Sequence, residues 1–140
     1  MDNWEIYNYV KAKKGGGSED STTLDELINR SITRINNSRV TSIGMNAFRN
    51  CATLTTAVFS ETTSIGSTAF CDCIKLKTVV LSVNGGVSLS SPSAFGNTPI
   101  ARGTGYIYVP DDLVESYKTA TNWTVYAEQI KGLSQLPEGV

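Results

Sequence analysis

Thr41-Ser42-Ile43-Gly44-Met45-Asn46-Ala47-Phe48-Arg49-Asn50-Cys51-Ala52-Thr53-Leu54 is answered, 22 positions later, by Thr63-Ser64-Ile65-Gly66-Ser67-Thr68-Ala69-Phe70-Cys71-Asp72-Cys73-Ile74-Lys75-Leu76. Ile43 and Ile65, Phe48 and Phe70, Cys51 and Cys73, and Leu54 and Leu76 share that offset. A fixed period of this size predicts a stacked solenoid, in which each coil buries its apolar face against the next. The leucines are expected to open strands over residues 54–60 and 76–82. Strand alternation then points Ala57, Phe59, Val79 and Leu81 inward, and Val58 and Val80 outward. Gly44 and Gly66 predict a tight turn after each isoleucine. Ala47-Phe48 and Ala69-Phe70 predict a short helical or 3₁₀ turn that drives the ring into the core.

Working outward, one period before Leu54 and Ala57 lie Ile32 and Ile35, so residues 31–37 are expected to form the first strand. The same step back from Phe48 reaches Glu26, inside a short amphipathic helix predicted over 23–30. Thr23 and Glu26 have capping-box spacing, and Leu24, Leu27 and Ile28 share one face. This helix is expected to close the N-terminal end of the stack, where an apolar face and a strand edge would otherwise meet water. Downstream, Ser93-Ala94-Phe95-Gly96-Asn97-Thr98 is a degenerate third copy. Phe95 lies 25 positions after Phe70, which predicts about three inserted residues near Val83-Asn84-Gly85-Gly86. The strand Tyr106-Ile107-Tyr108-Val109 follows late, with Ile107 and Val109 inward. Asp112 with Glu115 signals a helix start, and Asn122 is expected to cap a second short helix carrying Trp123, Tyr126, Ala127 and Ile130. The two helices would close the C-terminal end.

The expected organisation is therefore an aromatic and Gly-rich arm over 1–20, one repeat domain over 21–131 and a tail over 132–140. Within the domain, 21–37 is the N-terminal cap helix and first strand, 38–110 the repeats and 111–131 the helical cap. Trp4-Glu5-Ile6-Tyr7-Asn8-Tyr9-Val10 has strand-like composition, and Gly15-Gly16-Gly17-Ser18 reads as a linker.

Composition narrows the function classes. With 40% hydrophobic and 18% charged residues the chain has the balance of a protein with a buried core. A net charge of −1 gives no basic field for a phosphate backbone, so nucleic acid is not an expected partner. No stretch approaches the roughly 18 continuous apolar residues of a membrane span, so no membrane insertion is expected. The start of the chain lacks a secretory signal pattern, which favours a cytoplasmic or virion-associated location over Sec export.

The pattern Thr-Ser-Ile-Gly-x-x-Ala-Phe-x-(Asn/Asp)-Cys-x-x-Leu resembles the BspA-type, or Treponema-type, leucine-rich repeat. Ile107-Tyr108-Val109-Pro110, followed by Ser116-Tyr117-Lys118 and Asn122-Trp123, is similar to the closing segment of such arrays. The likeness covers about residues 32–130; Ser60 and Ser82 replace the family's strand-ending proline. It implies an α/β solenoid: a short, curved, right-handed leucine-rich-repeat stack of about four strands with helical caps at both ends. It also implies a surface, adhesion or host-binding role, as in bacterial and protist members, or a place in a bacteriophage particle.

Three cysteines, an odd number, and no histidine argue against a disulfide framework and a structural zinc site. Cys51, Cys73 and Thr98 share one repeat position and are expected to pack as small buried units. Asn50, Asp72 and Asn97 share another, expected to satisfy turn backbone groups. Glu61, Asp111, Asp112 and Glu115 read as loop and cap residues. With no activated serine, phosphate loop or carboxylate dyad, no enzyme and no cofactor are expected. The remaining candidate is the outward strand face, in two rows: Arg34, Thr56, Thr78, Tyr106 and Asn36, Val58, Val80, Tyr108. It predicts a binding module for a protein or glycan. The alternative is an assembly component whose N-terminal arm joins sister subunits into a homo-oligomer.

Overall fold

The computed structural model describes residues 33–140. The helix expected over 23–30 and the arm over 1–20 lie outside the described residues. In chain order the elements are β1 (Arg34–Asn37), β2 (Ser42–Ile43), β3 (Thr56–Phe59), β4 (Ser64–Ile65), β5 (Thr78–Leu81), β6 (Ser88–Leu89), β7 (Tyr106–Val109), α1 (Val114–Thr119) and β8 (Ile130–Gly132). They form two parallel sheets, one ordered β1-β3-β5-β7-β8 and one ordered β2-β4-β6. The period appears as pairing register: Arg34 faces Thr56 and Thr56 faces Thr78, each at an offset of 22, while Thr78 faces Tyr106 at 28 because of the inserted residues.

The strands are shorter than expected. β3 and β5 are four residues each, not 54–60 and 76–82, and β1 begins at Arg34 rather than 31. Leu54 and Leu76 still belong to the preceding turn, where their N–H groups donate to the Cys51 and Cys73 carbonyls at 3.2 and 3.0 Å. Both leucines are fully buried, so they anchor the core without extending the ladder.

Among the described residues the main sheet has five strands where about four are expected, because Ile130–Gly132 pairs with β7. The sequence pattern predicts the end of a second cap helix and the start of the tail there. The chain instead makes a 3₁₀ turn over Thr124–Gln129, enters β8, and turns again over Leu133–Gln135. Asn122 is not a helix cap. Its φ is 68°, and its side-chain amide donates to the Leu89 carbonyl at 2.7 Å.

The second sheet was not foreseen; Thr-Ser-Ile was expected only to lead into a turn. Two adjacent threonines tie it to the backbone one period earlier. Thr62 Oγ1 donates to the Val40 carbonyl at 2.7 Å and Thr63 Oγ1 to the Thr41 carbonyl at 3.0 Å, each reaching the coil before it. Buried Thr62 thereby satisfies a hydroxyl that would otherwise be costly to bury.

The tight turns begin at Gly44 and Gly66 as expected, their carbonyls accepting from the Ala47 and Ala69 N–H groups at 3.1 and 3.2 Å, while the left-handed backbone lies beyond the glycines. Asn46, Asn50, Thr68, Asp72 and Asn97 have φ of 61, 65, 55, 65 and 56°, while Gly66 has no positive φ. Asn and Asp tolerate this region better than other non-glycine residues. Gly66 is required for a different reason. A Cβ there would sit 2.6 Å from the Met45 nitrogen and 2.7 Å from the Gly44 carbonyl carbon, both backbone atoms of the previous coil. Gly66→Ala should therefore lower stability by about 1–3 kcal/mol or more through overpacking. Gly86→Ala, whose Cβ meets nothing within 4 Å, should stay near wild type. Urea unfolding of the pair tests this; equal midpoints would refute the close-approach reading.

The core is a column of rings. Phe70 stacks between Phe48 and Phe95, at centroid separations of 5.4 and 5.5 Å and interplanar angles of 14 and 3°. Phe59 leans on Phe48 and Phe70 at 6.5 and 6.2 Å. At the C-terminal end Tyr126 meets Phe95 edge-on at 5.6 Å and Trp123 meets it at 6.2 Å, which closes the column.

The outer edge of β6 has no further coil to pair with, and side chains take that role. Trp123 Nε1 donates to the Val87 carbonyl at 2.8 Å, and the Val87 N–H donates to Tyr117 Oη at 2.9 Å. With the Asn122–Leu89 bond, these contacts satisfy three backbone groups that a next coil would have met.

Candidate functional site

The outward strand face is assembled in the expected register. One row runs Arg34, Thr56, Thr78, Tyr106, and the other Asn36, Val58, Val80, Tyr108. The unforeseen fifth strand adds Lys131 beside Tyr108. Its ammonium lies 4.2 Å from the centre of the Tyr106 ring, where the negative face of the ring attracts it. Lys131 was missed because a three-residue strand carries too little alternation to be read.

Exposure along the rows is uneven. Arg34 and Asn36 are exposed, and Thr56, Val58, Thr78 and Tyr106 are half-buried. Val80 and Tyr108, by contrast, are only 4% and 5% exposed, although both lie outside the core cluster. Both keep their outward place in the row, but the face they were expected to expose is nearly closed to solvent at these two positions. Val80 sits between Val58 and Tyr108 in its row, and Tyr106 stands 6.4 Å from Tyr108. Burial, with a smaller contribution from Tyr106, pushes the Tyr108 phenol above its ordinary pKa. The accessible part of the face is led by Tyr106, with threonines on one side and Lys131 on the other.

The other sequence candidates are accounted for structurally. Cys51 and Cys73 are buried, and Cys73 Sγ donates to the Phe48 carbonyl at 3.0 Å. Thr98, third in that position, is also buried and donates to the Phe95 carbonyl at 2.7 Å. None of the three cysteines is in a disulfide. Cys71 is half-buried, and burial followed by the Asp72 charge pushes its thiol up, away from a reactive thiolate. Among the described residues no group of three His, Cys, Asp or Glu is placed to hold a metal ion.

Asn50, Asp72 and Asn97 owe their position to the left-handed backbone described above. Asp72 and Asn97 reach across coils rather than back to their own turns. Asn97 Nδ2 donates to Asp72 Oδ1 at 3.0 Å, Arg102 donates to Asn97 Oδ1 at 2.6 Å, and Arg49 stands 3.7 Å from Asp72. Asp111 accepts from the Ser134 N–H at 3.0 Å, a bond that holds its carboxyl below the usual carboxylate range. It pins the turn after β8. Glu115 pairs with Lys118 at 3.7 Å on the exposed side of α1. Near these residues, a cleft of about 380 Å³ mixes Asp111 and Glu128 with Lys118 and Lys131, so its charges largely cancel.

No helix among the described residues is long and apolar enough to cross a membrane. No curated protein matches the chain. The match to a family is extensive: residues 26–115 fit the BspA type leucine rich repeat region in six copies. That span includes both regular copies, the degenerate third and the start of the C-terminal cap, and the chain belongs to the BspA-type leucine-rich repeat family.

Proposed function

We propose that the protein is a non-enzymatic interaction module that recognises a protein or glycan through the accessible part of its outer strand face. Membership of a leucine-rich repeat family supports an interaction role. The observation that carries the choice of face is the registered row Arg34, Thr56, Thr78, Tyr106, which runs across four coils and ends beside Lys131. Parallel pairing holds these side chains at the fixed strand spacing of about 4.8 Å, so a partner meets a rigid surface and little ordering entropy is lost on contact. Tyrosine suits the centre of such a surface, since it offers a large ring with few rotatable bonds and a hydroxyl at its tip. Val80 and Tyr108, in the neighbouring row, are too closed to solvent to make the main contact with a partner.

Tyr106→Ala is expected to lower affinity by about 30-fold or more, the effect of losing an interface anchor, while changing stability by about 1 kcal/mol or less. Affinity capture from an envelope extract, with quantitative identification of retained partners, compares wild type with this variant. Equal retention by both would remove the strand face from consideration.

A further inference from the structure

Between the regular coils and the segment that delays β7 lies a cleft of about 390 Å³, lined by Thr55, Lys75, Lys77, Pro99 and Thr104. Its far wall is the stretch from Pro99 to Gly105, which has no counterpart in the regular copies. That wall is firmly built. The Thr104 and Gly105 N–H groups both donate to the Pro99 carbonyl at 2.9 Å, Arg102 N–H donates to the Thr98 carbonyl at 3.1 Å, and Ile100 is fully buried beneath it. A Cβ on Gly105 would come within 2.9 Å of the Lys77 carbonyl, so the wall is seated directly on the coil before it.

The chemistry of the lining is specific. Lys75 and Lys77 are exposed, and among the described residues neither ammonium has an ion-pair or hydrogen-bond partner. No carboxylate lines the cleft. The charge of Asp72 is already shared between Arg49 and Asn97. Two like charges in one cleft repel, and an anion placed between them relieves that repulsion.

The two hydroxyls add a second requirement. Thr55 Oγ1 donates to the Thr33 carbonyl at 2.9 Å, and Thr104 Oγ1 donates to the Pro99 carbonyl at 3.3 Å. With their protons so used, the two oxygens that line the cleft are left as acceptors, and an acceptor is matched by a donor. A fully deprotonated inorganic anion such as sulfate has no donor to give. A sugar acid has both a carboxylate for the lysines and hydroxyl groups for the threonines, and the Pro99 ring offers an apolar surface for its C–H face.

We propose that this cleft binds an acidic saccharide, with Lys75 and Lys77 holding its carboxylate and Thr55 and Thr104 accepting from its hydroxyls. The site is distinct from the strand-face row, shares no residue with it, and does not depend on that reading. Isothermal titration with an oligouronate on the full chain tests it, alongside the methyl ester of the same oligomer and a glutamate-rich peptide of equal charge. The oligouronate should bind, more weakly as salt is raised, and the ester and peptide should bind at least about ten-fold more weakly. Lys75→Ala with Lys77→Ala should lower oligouronate affinity by about ten-fold or more, whereas Lys118→Ala, a lysine outside both the cleft and the strand-face row, should leave it unchanged. Absence of oligouronate binding, or equal binding by the double variant, would overturn the site. Equal binding of the ester would overturn the role of charge. Equal binding of the peptide would overturn the saccharide in favour of an acidic protein segment.

Discussion

Phe70→Ala is expected to cost about 3–5 kcal/mol, a large part of the roughly 5–15 kcal/mol that holds an ordinary domain folded. The ring is completely buried and stacks on Phe48 on one side and Phe95 on the other, with Phe59 tilted against it. Its removal takes contacts from three aromatic neighbours in three coils at once. Relaxation cannot fill the space, because the backbone on either side is pinned. Phe48 N–H donates to the Ala69 carbonyl and Phe70 N–H to the Ala94 carbonyl, both at 2.8 Å. Phe48→Ala removes one stacked partner rather than two and should cost less. Urea unfolding followed by far-ultraviolet circular dichroism measures both. A loss below about 2 kcal/mol for Phe70→Ala, or a greater loss for Phe48→Ala, would show that the column is not the main source of cohesion between coils.

Trp123→Ala should be comparably severe, again about 3–5 kcal/mol, and for two separable reasons. The indole is 1% exposed and packs edge-on against Tyr117 at 5.0 Å as well as on Phe95. Its N–H is also the donor that satisfies the Val87 carbonyl at the end of the smaller sheet. Trp123→Phe separates the two contributions. It keeps much of the ring but leaves that carbonyl without its donor, at about 1–3 kcal/mol. Amide hydrogen exchange supplies the matching local readout: both variants should exchange faster around β6 than around β3. Uniform change across the stack, or a Trp123→Phe variant as stable as wild type, would show that the indole N–H is not needed to close the edge.

Which parts of this structure were readable in advance follows from what repeats. Ile35, Ala57 and Val79 occupy the inward positions, and their outward neighbours pair as expected, because a 22-residue offset sets both alternation and register at once; Ile107 joins them at an offset of 28, legible from the alternation of its own strand. Features made only once were not readable. β8 has three residues and no copy elsewhere in the chain, so its strand character comes from pairing with β7. The β6 edge is sealed by side chains about thirty-three positions away, such as Asn122 on Leu89, and no local pattern announces that. The insertion was placed near Val83-Asn84-Gly85-Gly86; two of its three residues do fall before β6, since Ser88 pairs with Ser64 at an offset of 24. The candidate face was readable in membership but not in exposure. Alternation says that Val80 and Tyr108 point away from the core, and it is silent on how little of them solvent reaches.

The sealed edge of β6 gives the stack a direction of growth. A coil added downstream would have to displace Tyr117, Asn122 and Trp123 from the backbone groups they satisfy. A coil added between Ser60 and Glu61 would meet only repeating surfaces above and below, with threonines and phenylalanines already at matching heights. Lengthening by duplication is therefore open in the interior and closed at the C-terminal end. Arrays of different length built on this plan would share one terminus and vary in the middle, carrying the same final coil outward as the row of exposed side chains grew longer.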